Sequence, residues 1–227
     1  MTARICVSIL PKNNLEALSL IEQAEKAQAD LIEVRLDCLK ISNNFSDLTA
    51  STKTPLIATS KLQNEKGYFS GNEVERQQTL LKAAKSGFEY VDVDLSSTEN
   101  RETISKLKLL GVKPIISYHK FDGTLDLPEM QKILEEEISC GASVCKIVTT
   151  AKQIEDNLLT LNFISNVSHW VKIVCFCMGE QGKISRLLSP LFGAFFTYAS
   201  LEQGSETAAG QMNINEMRTT YNSLGIK

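Results

Sequence analysis

The chain has 227 residues, of which 43% are hydrophobic, and its formal net charge is −3. This length is enough to bury a sizeable core, and the composition is that of an ordinary globular protein rather than a disordered or fibrous one. The chain has no basic block, which argues against nucleic acid as the main partner. It also has no export signal and no apolar stretch long enough to cross a membrane, so we expect a cytoplasmic protein without membrane association.

The six cysteines lack the setting that disulfide bonds need. Without an export signal, we expect reduced and mostly buried thiols. Cys175 and Cys177 share one face of a strand-like run, but the only two histidines, His119 and His169, do not stand at a spacing typical of zinc ligands. The sequence therefore predicts no metal site.

Strand-like and helical segments alternate along the whole chain. The predicted strands cover residues 4–9, 31–36, 55–59, 89–95, 112–118, 144–148, 171–177 and 193–199. The helices predicted to follow them cover residues 13–29, 45–50, 72–86, 98–110, 127–139, 151–165, 183–189 and 214–224. No linker, repeat or low-complexity segment interrupts this pattern. We therefore expect one domain that spans residues 1–227.

Eight strands that each precede a helix predict a parallel sheet. Eight such units within about 200 to 250 residues are typical of a closed (β/α)8 barrel, the TIM barrel. An open doubly wound sheet is the alternative, although it usually has fewer units. Neither glycine-rich phosphate-binding motif, G-x-G-x-x-G or G-x-x-x-x-G-K-[ST], is present, which disfavours a nucleotide site.

Lys146 stands in an unusual place, inside an apolar run that is predicted to be a buried strand. Lysine is rarely buried without a reason. Loss of water disfavours the ammonium form and leaves a neutral amine, the nucleophile that condenses with a carbonyl to give a Schiff base. The alternative is that this side chain reaches water from the end of its strand.

Other polar residues follow the carboxyl ends of the predicted strands, where barrel enzymes carry their active sites. These residues are Ser8, Glu33, Arg35, Lys61, Glu65, Asp92, Asp94, His119, Arg186, Thr207 and Gln211. A lysine, a histidine on the neighbouring strand, and several cations and carboxylates at one rim together predict a Schiff-base site with acid–base catalysis and an anion pocket.

Some of these residues also have simpler interpretations. Glu33 could form a structural ion pair with Arg35. Lys61 could pair on the surface with Glu65, which stands four residues further along.

For three more residues a structural role is the favoured interpretation. Asp92 and Asp94 are expected to cap a helix or to pair with a neighbouring strand. Tyr198 is expected to contribute only to packing.

Six short motifs occur in order along the chain. They are Glu33-Val34-Arg35-Leu36-Asp37, Ser117-Tyr118-His119-x-Phe121, Gly141-Ala142-x-x-x-Lys146-Ile147, Met178-Gly179-x-x-Gly182-x-x-Ser185-Arg186-Leu187, Phe192-Gly193-x-x-x-Thr197-Tyr198-Ala199 and Ala208-Ala209-Gly210-Gln211. Together they make the sequence resemble the type I 3-dehydroquinate dehydratases, hydro-lyases of the shikimate pathway, over nearly the whole chain. No single motif is decisive, but their combination and order are specific.

The resemblance implies a covalent mechanism. Lys146 would condense with the C3 carbonyl of 3-dehydroquinate, and the protonated imine would make the adjacent C2 proton acidic. His119 would remove that proton and then help the C1 hydroxyl leave as water, giving 3-dehydroshikimate. These steps need a buried amine and a group that titrates near neutrality, and they need no cofactor.

The resemblance also implies binding roles. Arg186 would hold the substrate carboxylate, since a guanidinium matches that planar anion. Glu33 and Arg35 would contact the ring hydroxyls and the carbonyl region. Further members of the site would be Ser8 and Lys61 in the pocket, Glu65 beside His119, and Thr207 and Gln211 on a lid around residues 201–212. Loop closure would exclude water from the imine, and members of this family usually form homodimers.

The chain departs from the family pattern at four positions. Lys61 stands where arginine is usual, Lys66 replaces a glycine, and Lys120 follows the histidine where Asp or Asn is common. Ala209 replaces the proline of the lid, which should loosen that loop. These departures affect the expected substrate affinity more than the reaction type.

Two other hypotheses remain open on the sequence alone. A class I aldolase or transaldolase would also use Lys146, but it would not need Arg186 and Gln211 as carboxylate and lid contacts. A barrel without catalytic activity, which binds a metabolite or a partner, would form no covalent adduct at Lys146.

Overall fold

A computed structural model describes residues 2–39, 45–97 and 100–226 of the chain. Eight strands alternate with eight helices in this part. The strands are β1 (Ile5–Ile9), β2 (Leu31–Arg35), β3 (Leu56–Thr59), β4 (Tyr90–Asp94), β5 (Lys113–His119), β6 (Val144–Thr150), β7 (Ile173–Met178) and β8 (Thr197–Ala199). The helices are α1 (Asn14–Lys26), α2 (Ser46–Ala50), α3 (Glu73–Lys85), α4 (Asn100–Leu109), α5 (Leu127–Cys140), α6 (Asp156–Val167), α7 (Lys183–Leu188) and α8 (Ile214–Ser223).

All eight strands are parallel, and seven neighbouring pairs share hydrogen-bond ladders in the order β7-β6-β5-β4-β3-β2-β1-β8. The backbone N–H of Phe195 donates to the carbonyl of Ile173 at 2.7 Å and brings the segment before β8 against β7. The sheet is therefore a nearly closed (β/α)8 barrel, as the sequence predicted, and the open doubly wound alternative is wrong.

The helix boundaries follow from capping. Asn72, Asp126 and Asn213 each form a capping box with a glutamate three residues later, and these boxes begin α3, α5 and α8. Gly141, with a φ of 97°, ends α5 in the left-handed conformation that glycine adopts without strain. The predicted helix 98–110 begins at two residues, 98 and 99, that lie outside the described part.

Two segments were predicted to begin four or five residues too early. Helix α6 begins at Asp156 rather than at residue 151, because the Asp156 carboxylate accepts hydrogen bonds from the backbone N–H groups of Lys152 and Gln153 and holds them in a turn. Strand β8 begins at Thr197 rather than at residue 193, since its pairing with β1 starts opposite Ile5.

The core has an inner and an outer part. Side chains of alternate strand residues fill the barrel, among them Cys6, Val144, Val148 and Phe176. The residues between them, such as Cys145 and Ile147, face the helices. Lys146 stands between Val144 and Val148, so this alternation directs its side chain into the barrel. In the three described ranges, no helix has the length and apolarity needed to span a membrane.

Candidate active site

A pocket opens at the carboxyl ends of the strands, and most of the predicted site residues line it. Those that do are Glu33, Arg35, Lys61, Glu65, His119, Lys146, Arg186, Thr207 and Gln211. Ser8 lies below the pocket, where its hydroxyl donates to Glu33. The strand-end rule thus brought these residues together from seven separate parts of the chain.

Lys146 projects from β6 into the pocket and is only 5% exposed. Its Nζ donates to Asp92 Oδ2 at 2.9 Å and to the Tyr198 hydroxyl at 3.2 Å, and it lies 3.8 Å from Glu33 Oε1. The alternative that this side chain reaches water from a strand end is therefore wrong. The sequence argument considered only that burial removes water from the Lys146 nitrogen. It did not predict that the carboxylates of Asp92 and Glu33 would lie beside that nitrogen instead.

His119 stands at the end of β5, on the strand beside Lys146. Ser117 pairs with Lys146 in the β5–β6 ladder, and His119, two residues later, points to the same side of the sheet. Its ring stacks on Phe121 with centroids 5.9 Å apart. Burial, together with the positive charges of Lys61 and Lys146, holds the pKa of His119 well below its usual range. The imidazole is therefore neutral at pH 7 and able to accept a proton.

Glu65 lies near the imidazole, at the position that the family resemblance implied. Donor atoms of Glu65, Asp94 and His119 lie within 4.8 Å of one another. Such a trio could in principle bind a divalent metal, but the ammonium of Lys61 already contacts Asp94. A cation that belongs to the chain itself thus occupies this part of the site.

Lys61 is buried and uses all its N–H groups within the protein. Its ammonium donates to Asp92 Oδ1 at 2.7 Å, to Asp94, and to the Ser117 hydroxyl at 2.9 Å. Burial alone would lower the pKa of Lys61, but the charges of Asp92 and Asp94 raise it above its usual range. The surface pair between Lys61 and Glu65 is wrong, since these aspartates are its partners.

A chain of alternating charges therefore runs through one wall of the pocket. Arg76 lies 3.4 Å from Asp94, Asp94 contacts Lys61, and Asp92 joins Lys61 to Lys146. Burial alone would raise the pKa of Asp92, but the charges of Lys146 and Lys61 hold it far below its usual range. Asp92 therefore remains an anion between two cations.

Arg35 pairs with Asp37 rather than with Glu33. Its Nε and Nη2 donate to the two Asp37 oxygens at 2.9 and 2.7 Å, in a bidentate arrangement. Glu33 instead accepts hydrogen bonds from the hydroxyls of Ser8, Thr59 and Tyr198. The proposed structural pair between Glu33 and Arg35 is thus wrong, and both side chains line the pocket.

Arg186 is the cation of the opposite wall. It lies on α7, is 1% exposed and stacks over the Phe176 ring at 4.3 Å. Its Nε and Nη2 atoms have no hydrogen-bond partner. Burial lowers the pKa of Arg186 to about 10, so the group remains charged at neutral pH. A buried guanidinium with unused donors that faces a pocket is suited to bind an anion.

The loop between β8 and α8 covers the pocket. Thr207 and Gln211 hold each other, since the Thr207 N–H donates to Gln211 Oε1 at 2.7 Å and Gln211 Nε2 donates to Thr207 Oγ1 at 2.9 Å. The Gly179 N–H donates to the carbonyl of Ala209 at 3.0 Å. Gly210, with a φ of 76°, lies so close to Gly179 that a Cβ would be 2.1 Å from its carbonyl oxygen.

Of the remaining departures from the family pattern, Lys66 lines the pocket and Lys120 is not among its lining residues. Lys66 adopts the left-handed conformation, with a φ of 56°, and its ammonium lies 4.2 Å from the centre of the Phe121 ring. Lys120 pairs with Asp122 at 2.8 Å on the surface. The side chains of these two lysines therefore leave the contacts of Lys146 unchanged.

Sequence reasoning missed the direct contacts of Asp92 and Tyr198 with Lys146. Asp92 stands between Val91 and Val93, which face the helices, and successive strand residues point to opposite sides of the sheet. This alternation could have predicted that Asp92 points into the barrel. For Tyr198 the sequence offers no such signal, because a tyrosine inside a barrel is equally compatible with packing.

The expectation that one of Asp92 and Asp94 caps a helix is wrong, since both contact Lys61. The expected pairing with a neighbouring strand is confirmed, because Asp92 accepts from the Ser117 hydroxyl on β5 at 2.8 Å.

Comparisons with known proteins agree with this geometry. The family described as Type I 3-dehydroquinase matches residues 5–227. A 3-dehydroquinate dehydratase of Dehalococcoides mccartyi is 35% identical over 220 residues, which cover 97% of this chain and 95% of that protein. Another from Methanocaldococcus jannaschii is 32% identical over 225 residues, covering 98% of this chain and all of that protein.

The fold is shared with solved structures. The crystal structure of 3-dehydroquinate dehydratase from Geobacillus kaustophilus has a TM-score of 0.89 at 24% identity, and it covers 99% of this chain and 92% of that one. The family match and the two relatives extend over nearly the full length of the barrel and include every predicted site residue. The chain belongs to the type I 3-dehydroquinase family.

Proposed function

We propose that this protein dehydrates 3-dehydroquinate to 3-dehydroshikimate through a Schiff base on Lys146. The observation that carries the proposal is that Lys146, His119 and the unpartnered Arg186 all face one pocket. These groups supply the nucleophile, the proton acceptor and the anion-binding cation of the reaction that the family carries out.

The chemistry divides between the two neighbouring strands. The Lys146 nitrogen attacks the C3 carbonyl, and the resulting protonated imine withdraws electrons from C2. His119, neutral because its pKa is low, removes the C2 proton. The imidazolium then gives a proton to the C1 hydroxyl as it leaves as water, and hydrolysis of the imine releases the product.

Substrate binding uses both walls of the pocket. Arg186 binds the carboxylate through its unused N–H groups, while Glu33 and Arg35 contact the hydroxyls and the carbonyl region. Ser8 acts through its hydrogen bond to Glu33 rather than by touching the substrate. Glu65 positions His119. Lys61 contributes positive charge at the edge of the pocket while it holds Asp92 and Asp94.

The loop at residues 201–212 acts as a lid on one catalytic domain of residues 1–227. Thr207 and Gln211 face the pocket from this loop, so closure brings them against the substrate and excludes water from the imine. The six free cysteines are compatible with a reducing compartment, and we propose that the protein works in the cytoplasm.

Two measurements test the catalytic proposal. We expect 3-dehydroquinate to be converted with a rise in absorbance from the enone product. Borohydride added during turnover should trap a covalent adduct, which mass spectrometry should locate at Lys146. Lys146→Met should fold but neither turn over nor form the adduct. Turnover by this variant would exclude the covalent mechanism, and absence of turnover in the unaltered protein would exclude the function.

We further propose a homodimer formed through the outer helices. Leu158 on α6 and Phe192 lie along one surface groove and are 65% and 41% exposed, which is compatible with burial in a second copy of the chain. Light scattering should report a dimer that Leu158→Glu converts to a monomer. Leu109→Glu, which changes an 88% exposed leucine on α4, is the control and should leave the dimer intact. A monomeric unaltered protein would refute the proposal.

A further inference from the structure

Lys146 is surrounded by hydrogen-bond acceptors, and this raises the question of where its proton goes. An ammonium has no lone pair, so its nitrogen can attack a carbonyl only after it has lost a proton. Two groups accept hydrogen bonds from this nitrogen, Asp92 at 2.9 Å and Tyr198 at 3.2 Å. The two groups differ in their other hydrogen-bond partners.

Asp92 is poorly suited to receive the proton. Its oxygens already accept hydrogen bonds from the ammonium groups of Lys61 and Lys146 and from the hydroxyl of Ser117. Two cations in a buried site stabilise the carboxylate strongly against protonation. Asp92 therefore anchors the lysine and leaves its proton in place.

The Tyr198 hydroxyl also contacts a second carboxylate, that of Glu33. Its hydroxyl accepts from Lys146 and donates to Glu33 Oε1 at 3.1 Å, so a continuous path of two hydrogen bonds joins the amine to Glu33. The other hydrogen-bond donors to Glu33 are the neutral hydroxyls of Ser8 and Thr59. Glu33 therefore has only neutral hydrogen-bond donors, with the Lys146 ammonium further away at 3.8 Å, whereas Asp92 accepts hydrogen bonds from two ammonium groups.

The phenol remains protonated in this environment, because burial and the charge of Glu33 raise the pKa of Tyr198 well above its usual range. A protonated hydroxyl can receive one proton while it passes on another. Its neighbours in the barrel, Phe176 and Phe196, hold the ring with centroids 6.1 and 5.4 Å away. The hydroxyl is thus fixed between donor and acceptor.

We propose that Tyr198 is a further catalytic residue, which relays a proton from Lys146 to Glu33 as the Schiff base forms. One N–H bond of Lys146 breaks as its proton moves to the Tyr198 oxygen, and the original phenol proton moves to Glu33. The ammonium and carboxylate become an amine and a carboxylic acid, so the net charge is unchanged.

The same proton is returned later in the reaction. The amine adds to the C3 carbonyl, and a proton shift from nitrogen to oxygen gives the neutral carbinolamine. The proton held by Glu33 then passes to the carbinolamine hydroxyl, which leaves as water and gives the protonated imine. Glu33 is again a carboxylate, and no oxidant, reductant or metal enters the balance. This relay rests on the proposed dehydratase function and concerns only its first step.

Tyr198→Phe tests the relay, because it removes one hydroxyl and keeps the ring. Rapid mixing with 3-dehydroquinate, quenching with borohydride and mass spectrometry measure the rate of adduct formation at saturating substrate. We expect this rate to fall by about tenfold or more, since positioned proton transfer typically contributes more than that and water can replace part of it. The difference in this rate between Tyr198→Phe and the unaltered protein should become smaller as pH rises, because hydroxide can then remove the proton from Lys146.

The matched control is Tyr221→Phe. It also deletes a buried hydroxyl with a hydrogen bond, here to the carbonyl of Leu187 at 2.6 Å, but it lies on α8 outside the pocket. Adduct formation in this variant should match that of the unaltered protein.

A second readout separates proton transfer from a structural role. In mixtures of H2O and D2O, a relay that moves two protons together gives a curved dependence of the adduct-formation rate on deuterium content, while Tyr198→Phe should give a straight line. Glu33→Gln should also give a straight line, which keeps the test valid should the tyrosine variant fail to fold. Unchanged adduct formation in Tyr198→Phe, or a slower rate with the same curvature, would overturn the relay. Failure of the unaltered protein to dehydrate 3-dehydroquinate would overturn the proposed function instead.

Discussion

On one wall of the pocket the ammonium groups of Lys61 and Lys146 lie against carboxylates, and on the other wall the guanidinium of Arg186 has two nitrogen atoms without a partner. All three cations are buried. A buried charge is tolerated when it is paired and is costly when it is not. The cations of the first wall are therefore paired within the chain, and we call this wall complete. On the other wall, Arg186 gains a charged partner only when an anion binds.

Glu137 is a third buried ionisable group that can be compared with the two walls. Glu137 on α5 is fully buried behind the barrel wall, and neither of its carboxyl oxygens has a hydrogen-bond partner. Its polar surroundings are the Cys145 thiol and the backbone of Lys146, and burial outweighs them and raises the pKa of Glu137 well above its usual range. Glu137 is not among the residues that line the active-site pocket, and its raised pKa means that a proton neutralises it.

Removing one cation from the complete wall should have the largest effect. After Lys61→Met, Asp92 keeps only Lys146 and Asp94 keeps only the longer contact with Arg76. The buried wall has then lost one positive charge, and we expect the free energy of unfolding to fall by about 3 to 5 kcal/mol. Urea denaturation measures this.

The control is Lys26→Met, which removes a cation that is 72% exposed and pairs with Glu22, and it should change the free energy by less than about 1 kcal/mol. Equal effects of the two variants would contradict the comparison.

Removing the unpaired cation should have opposite effects on activity and stability. We expect Arg186→Met to lower kcat/KM for 3-dehydroquinate about a hundredfold, because a buried charge-assisted contact typically contributes about 2 to 5 kcal/mol. The free energy of unfolding should rise, since no unpaired charge remains buried. Steady-state kinetics and urea denaturation of the same preparation measure both.

Lys183→Met, a half-exposed cation on the same helix, is the control for Arg186 and should change kcat/KM less than twofold. A loss of stability in Arg186→Met would mean that the guanidinium has a structural partner after all.

The buried carboxyl should give a pH-dependent effect. In the folded state Glu137 keeps its proton above the pH at which the unfolded chain releases it, so the folded state binds more protons and stability falls as pH rises above about 4.5. Glu137→Met should therefore raise the free energy of unfolding at pH 7 by about 1 to 3 kcal/mol and flatten its decline with pH. Urea denaturation between pH 4 and pH 8 measures the difference.

The matched control for this change is Glu136→Met, on the exposed side of the same helix. Its effect should stay within about 0.5 kcal/mol at every pH. A variant of Glu137 that follows the same pH curve as the unaltered protein would show that this carboxyl is ionised in the fold.

The smallest effect should come from the lid that shields Arg186. Gly210→Ala places a Cβ against the carbonyl of Gly179, so we expect KM to rise several-fold while kcat changes less. Gly204→Ala is the control, because Gly204 also has a positive φ, 88°, but no atom lies within 4 Å of its added Cβ. The same KM in both variants would mean that backbone strain, and not docking on Gly179, governs the loop.

Most of the fold was predictable, because the eight apolar runs and the glycines that follow α3, α4 and α5 carry a strong local signal. The boundaries of α6 and β8 were not, since they depend on the Asp156 turn and on the partner strand β1. For the site, the strand-end rule found Lys146, His119 and Arg186.

The partners of these residues were harder to predict. The sequence could not show that Lys61 joins Asp92 and Asp94, because these residues are about 30 positions apart and meet only through the register of β3 and β4. The contact between Tyr198 and Lys146 could not be predicted for the same reason, because these two residues are also far apart in the sequence. Pairing between distant strands is a property of the closed barrel, and no local pattern encodes it.

The β5–β6 register has a consequence for how this protein can diverge. Ser117 stands opposite Lys146 and His119 opposite Val148, so the amine and the imidazole are held by the hydrogen-bond ladder itself. Deleting one residue from β5 ahead of His119 would turn the imidazole toward the helices and bring Tyr118 into the lumen. Insertions and deletions are therefore expected to be excluded from these two strands, and changes of chain length in descendants of this sequence should fall in the loops and outer helices.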